Sequence, residues 1–120
     1  VELTDSETPM VVNFWFSTCE PCKREMPALA AAAQKYGAAV SFVGVNPHDT
    51  ASAATTFLEK YTVTFPNYLD DGALLADVGI GNMPTTVFVN TSGIIVATHA
   101  GEITAAQLDD IIREEFGVQS

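Results

Sequence analysis

Short runs of β-branched and aromatic residues alternate along this chain with stretches of helical periodicity, and that alternation constrains the fold most. Residues 10–16 (MVVNFWF), 40–45 (VSFVGV) and 85–89 (TTVFV) are apolar and have the length of buried strands. After the first run, Cys22, Met26, Leu29, Ala33 and Tyr36 recur at helical spacing, and Gly37 supplies a stop. Pro27 lies inside this helix and is expected to kink it without ending it. The alanines at 30–33 suit the same helix, alanine being the best helix former. A second helix follows residues 40–45, capped by Asp49 or Thr50, with Ala54, Phe57, Leu58 and Tyr61 turned inward. Residues 65–69 form a short extended segment, Asp71-Gly72 a turn and residues 73–78 a short helix. Asn90-Thr91-Ser92-Gly93 reads as a hairpin turn between residues 85–89 and 94–98. Thr104 and Gln107 form a capping box for a last helix that buries Leu108, Ile111, Ile112 and Phe116. Strands alternating with helices imply parallel pairing in the first half, and the hairpin adds an antiparallel part. The fold class is α/β, a central mixed β-sheet flanked by helices.

Length and charge bound what such a fold does. The 120 residues are one domain's worth, and at 48% hydrophobic they build a core without a disulfide scaffold. Residues 1–9 are polar and turn-like, and no linker or repeat divides the chain, so residues 1–120 form one domain. A net charge of −10 repels phosphate, which argues against nucleic acid and anionic membranes as partners. The same charge is a well-solvated surface, or a field that steers a basic partner. No apolar run approaches the roughly 18 to 20 residues that cross a bilayer. The chain starts at Val1 rather than Met, so part of the natural N-terminus, with a signal peptide or anchor, is expected to have been removed or left out.

The two cysteines, Cys19 and Cys22, close too small a loop to stabilise a fold much, so chemistry is the better reason for them. Pro21 suits the first turn of a helix, where its missing N–H costs nothing. Cys19 then precedes that turn, and the unpaired N–H groups of the helix start favour its thiolate. Cys22 lies one turn in, placed to resolve a mixed disulfide. Glu20 opposes the thiolate beside it, which favours a more stable disulfide and a reducing pair, while Lys23 acts in the opposite sense. The competing readings are an inert disulfide and a zinc site. Zinc wants four ligands, and the other candidates, His48 and His99, are far apart in sequence and read as surface or loop residues.

The stretch Trp15-Phe16-Ser17-Thr18-Cys19-Glu20-Pro21-Cys22-Lys23, the following Met26-Pro27 and the later Met83-Pro84-Thr85-Thr86 together resemble the thioredoxin superfamily, in particular its TlpA/ResA-like branch of extracytoplasmic thiol–disulfide oxidoreductases. The likeness runs from about Met10 to Phe116. It implies the thioredoxin fold, Cys19 as nucleophile and Cys22 as resolving thiol, with no cofactor beyond the redox-active disulfide and no metal. It implies that Pro84 is a cis proline facing the disulfide, against the ordinary reading of a trans proline at a strand start. The Met83 backbone would then lie beside the sulfurs and pair with an extended substrate segment. Trp15 either shapes that groove or is a plain core aromatic. Asn13 stands six residues before Cys19, where cytoplasmic thioredoxins carry a buried Asp, and cannot accept the resolving thiol's proton. By the same likeness Asp49 falls where an acidic residue lies close to the cysteine pair; otherwise it is a helix cap.

The function so implied is a monomeric dithiol reductant outside the cytoplasm, as in cytochrome c maturation. Its partners are protein thiol and disulfide substrates and an upstream membrane electron donor or acceptor. A disulfide-forming oxidase is the alternative within the same chemistry. A copper-binding module on this fold would space its cysteines three residues apart and add a distant His, which this spacing does not match. A peroxidase would need a Thr-x-x-Cys stretch that is absent here.

Overall fold

The structure is a computed structural model, and it describes residues 7–118. Its elements are β1 (Met10–Phe14), α1 (Glu20–Tyr36), β2 (Ser41–Asn46), α2 (Ala51–Lys60), β3 (Asn67–Leu69), α3 (Ala73–Val78), β4 (Thr85–Val89), β5 (Ile95–Ala100) and α4 (Ala105–Ile111), which ends in a π-helical turn at Ile112–Phe116. The sheet order is β3-β2-β1-β4-β5. β1 pairs in parallel with β2 and antiparallel with β4, and β2 pairs in parallel with β3. The helical crossovers therefore build the parallel half and the hairpin the antiparallel half, giving the mixed sheet expected of a thioredoxin fold.

Side-chain alternation along the strands sorts the core into two faces. Val11, Trp15, Phe42 and Phe88 pack on one side with α1, α2 and α4, through Met26, Leu29, Phe57, Leu108 and Ile112. Val12, Phe14, Val45, Val87 and Val89 pack on the other, against Leu74, Leu75 and Val78 of α3. One row of paired residues crosses all five strands as Asn67, Gly44, Asn13, Thr86 and His99. Through it the otherwise apolar α1 side receives a polar pair, Asn13 and Thr86.

Several boundaries differ from the sequence expectation. β1 stops at Phe14, although the Trp15 N–H still donates to the Val45 carbonyl at 3.1 Å. β3 is only Asn67–Leu69, because Phe65 turns in to face Phe42, with ring centroids 6.1 Å apart. The last strand begins at Ile95, and Ile94 is left exposed in the turn. On α1 the buried stripe is Cys22, Glu25, Met26, Leu29, Ala32 and Tyr36, so Ala32 replaces Ala33 and an acid joins the apolar set. Pro27 does not end this helix. In α4, Leu108 and Ile112 are buried while Ile111 and Phe116 are half-buried.

Candidate active site

The motif sits where β1 hands the chain to α1. Cys19 is the N-cap of α1 in extended conformation, and the Cys22 N–H donates to its Sγ at 3.3 Å. Pro21 occupies the first turn. The two sulfurs are joined as a disulfide. Cys22 is fully buried and Cys19 is 5% exposed, so Cys19 is the sulfur an incoming group can approach. Once reduced, Cys19 would keep the N–H donor and the positive end of the helix, both of which favour its thiolate.

The opposite wall comes from the start of β4. The Met83–Pro84 peptide bond is cis. The Met83 carbonyl oxygen lies 3.9 Å from Cys19 Sγ, an acceptor in place for the thiol of the reduced state.

Trp15 is fully buried. It stacks on Phe57 with centroids 4.6 Å apart, and its Nε1 donates to Asn67 Oδ1 at 2.9 Å. It supports the motif from inside the core, and it also lines a pocket with Asn46, Ala54, Asn67 and Leu69. Gly44 makes room for this arrangement. A Cβ built there would lie 1.7 Å from Asn67 Oδ1 and 3.0 Å from Trp15 Nε1. Gly44→Ala is therefore expected to break the Trp15–Asn67 hydrogen bond and lower stability by about 1–3 kcal/mol, read as an earlier denaturation midpoint at unchanged slope.

Asp49 does not cap α2; Thr50 does, its side chain accepting from the Ala53 N–H at 3.2 Å. Thr50 precedes the helix directly, and Asp49 is turned elsewhere. Its Oδ2 accepts from the Ser17 N–H at 2.6 Å and from Asn46 Nδ2 at 2.8 Å. The carboxylate thus ties the loop before Cys19 to the end of β2. Partial burial pushes the Asp49 carboxyl up, but these hydrogen bonds outweigh it and hold it below the ordinary range. It is ionised at neutral pH and serves as an anchor of the loop. Asp49→Asn is expected to leave the Cys22 thiol titration in place and to cost about 1–2 kcal/mol of stability; a moved Cys22 titration would return Asp49 to proton transfer.

Glu20 and Lys23 pair with each other at 2.5 Å on the exposed side of the first turn. The Lys23 hydrogen bond, then its charge, hold the Glu20 carboxyl below its usual value. The pair closes on itself, so the push of Glu20 on the Cys19 thiolate is largely offset. His48 packs its ring on Phe16, with centroids 5.1 Å apart, and the His99 ring bonds the Glu102 carbonyl at 3.0 Å. Among the described residues no three His, Cys, Asp or Glu side chains are grouped to hold a metal ion.

A buried carboxyl group on the same helix is one that motif reading passed over. Glu25 lies one turn beyond Cys22 on the same buried stripe and is 1% exposed. Asn13 Nδ2 donates to its Oε2 at 2.7 Å, and the Ile103 N–H donates to its Oε1 at 3.2 Å. Burial pushes the Glu25 carboxyl up to about 7, against the two hydrogen bonds that lower it and with the Glu102 charge adding to the rise. Such a group takes up and gives back a proton near neutrality. Asn13 has no titrating proton of its own; it hydrogen-bonds the carboxyl that has one. The signal was present in the sequence as an acid three residues after Cys22 and four before Leu29, on a stripe otherwise apolar.

A nucleophile at a helix start, a buried partner thiol and a carboxyl titrating near neutrality are the parts that dithiol–disulfide exchange needs. Known thiol–disulfide oxidoreductases resemble this chain over most of its length. It is 32% identical over 115 residues to the thiol–disulfide oxidoreductase ResA of Halalkalibacterium halodurans, an alignment covering 93% of this chain and 65% of that protein. With ResA of Bacillus subtilis it shares 34% identity, over 92% of this chain and 63% of the relative. The chain thus spans just under two thirds of the length of these relatives. Among solved structures, StoA from Bacillus subtilis superposes with a TM-score of 0.78 at 30% identity, covering 87% of this chain and 81% of StoA. A secreted Mycobacterium tuberculosis disulfide oxidoreductase homologous to DsbE of E. coli superposes at 0.79 with 27% identity, covering 89% and 81%. The Redoxin family profile matches residues 1–112, which takes in every element that builds the site from Trp15 to Ile103, and the chain belongs to that family.

Proposed function

We propose that this chain is a thiol–disulfide oxidoreductase of the ResA and StoA type that reduces disulfides of protein substrates outside the cytoplasm, as in cytochrome c maturation. The observation that carries this reading is the pairing of a fully buried Cys22 with a buried Glu25 one helical turn away, behind a Cys19 that alone reaches the surface. In the reduced protein the Cys19 thiolate attacks a substrate disulfide. That S–S bond breaks, one substrate thiolate leaves, and a Cys19–substrate mixed disulfide forms. Cys22 then passes its proton to Glu25 and attacks Cys19 Sγ. The mixed disulfide breaks, the second substrate thiolate leaves, and the Cys19–Cys22 disulfide closes. Two electrons have moved to the substrate, and the disulfide is the form the structure holds. A dithiol donor on the membrane returns the pair to its reduced form, and no further cofactor takes part. The extracytoplasmic placement is supported by the relatives named ResA and by the secreted neighbour. No helix among the described residues is long and apolar enough to cross a membrane.

The direction of electron flow is tested by the reduction potential of the Cys19–Cys22 couple in dithiothreitol or glutathione buffers. The expected value lies near that of thioredoxin, about −270 mV. A potential near that of DsbA, about −120 mV, would overturn the reductant in favour of a disulfide-forming oxidase.

A further inference from the structure

Glu25 meets two hydrogen-bond donors, and only one of them can turn around. Its Oε1 faces the Ile103 N–H at 3.2 Å, a backbone donor fixed by the chain. Its Oε2 faces Asn13 Nδ2 at 2.7 Å, and the same Nδ2 reaches Thr86 Oγ1 at 3.2 Å. This set suits an ionised carboxylate. A protonated carboxyl brings a donor of its own and wants an acceptor. Asn13 carries one on the other limb of its amide. Asn13 Oδ1 is buried and is the single such side-chain oxygen or nitrogen without a hydrogen-bond partner among the described residues. Nothing on that far side holds the amide in its present sense; its orientation is decided on the Glu25 side alone. Thr86 is compatible with either orientation, because a hydroxyl both accepts and donates. All three side chains are buried, so bulk water does not stand in for a missing partner.

We propose that Asn13 is a positioning residue that serves Glu25 in both of its proton states, its amide turning over as the carboxyl takes up a proton while the Thr86 hydroxyl changes from acceptor to donor. The inference rests on the reading of Glu25 as the proton acceptor of Cys22. The turned amide presents Oδ1 to the Glu25 O–H and to the Thr86 O–H together, and it turns back when the proton leaves. The other titratable or charged groups around Glu25 are Cys22 on its own helix, Glu102 with its ion-pair partner Arg24 at 2.8 Å, and His99, which bonds the Glu102 carbonyl. None of these stands between Asn13 and the carboxyl.

The test uses the disulfide form of the whole chain, in which the cysteines do not titrate. NMR from pH 5 to pH 9 follows the Glu25 carboxyl carbon and the nuclear Overhauser contacts from the Asn13 amide protons to the Thr86 side chain. The expected result is one shared midpoint, with the contacts present above it and lost below it. In Glu25→Gln these contacts are expected not to change with pH. Amide protons that stay against Thr86 at both ends of the range while Glu25 titrates would overturn the proposal, as would a Glu25 carbon that does not move. Failure of the underlying reading shows separately, in the reduced protein, as a Cys22 thiol titration that Glu25→Gln leaves unmoved.

Discussion

Cys19→Ser is expected to fold and to lose disulfide exchange by about a thousandfold or more, the scale of deleting a covalent nucleophile. Folding should survive because the native disulfide closes so short a loop that its chain-entropy contribution is about 2 kcal/mol. Cys22→Ser is expected to differ in kind. It keeps the helix-start thiol, the one of the two that reaches the surface, and loses the fully buried one, so Cys19 still attacks but nothing displaces the substrate. Mixed disulfides should accumulate and appear as a mass increment that reducing agent removes. An insulin-reduction assay and a non-reducing gel separate the two variants. Equal trapping by both, or retained turnover in Cys19→Ser, would reverse the roles given to the two sulfurs.

Glu25→Gln carries the second large effect, and its sign can be worked out. The folded carboxyl titrates near 7 against 4.5 in the unfolded chain. Between those values the folded state holds a proton that the unfolded state has released. Stability therefore falls as pH rises from about 4.5 to about 7 and levels off above, a total of about 3 kcal/mol from this group. Gln is neutral throughout and lacks that slope. At pH 8 the variant should be more stable than its parent, by up to about 3 kcal/mol less the loss where its amide N–H₂ meets the Asn13 or Ile103 donor. At pH 4.5 the gain should have vanished. Turnover is expected to move the other way, falling by about a hundredfold at neutral pH because Cys22 loses its proton acceptor. Urea denaturation at pH 5, 6, 7 and 8 reads the first effect, and a stability difference that stays constant with pH would rule out a raised Glu25. A gain in stability with a loss of activity is the pattern of a charge kept in the core for function.

Much of the molecule was legible residue by residue. The apolar runs at 10–16, 40–45 and 85–89 located the central strands, because a strand buried on both faces has little choice but Val, Ile and Phe. Residues 73–78 came out as read, and so did the Thr104–Gln107 capping box, since a capping box is settled by groups within one turn. Boundaries drifted where a side chain had a better tertiary partner than the ladder offered, as with Phe65 against Phe42. Trp15 and Asp49 each had two readings in the sequence. The choice depended on Asn67 and Phe57 for one and on Ser17 and Asn46 for the other, residues that only the folded chain brings near.

By itself the sequence determined the strand and helix order, the mixed sheet and the cysteine pair at the start of α1. These follow from periodicity and from helix ends, which are short-range. Tertiary structure alone assembled the surroundings of the carboxyl proposed to take the proton. Asn13 comes from β1, Thr86 from β4, Glu25 from α1 and the Ile103 N–H from the turn before α4, and the sheet register and the packing of α1 bring them together. Burial there, more than any property of glutamate, raises Glu25 toward neutrality, and burial belongs to the whole fold.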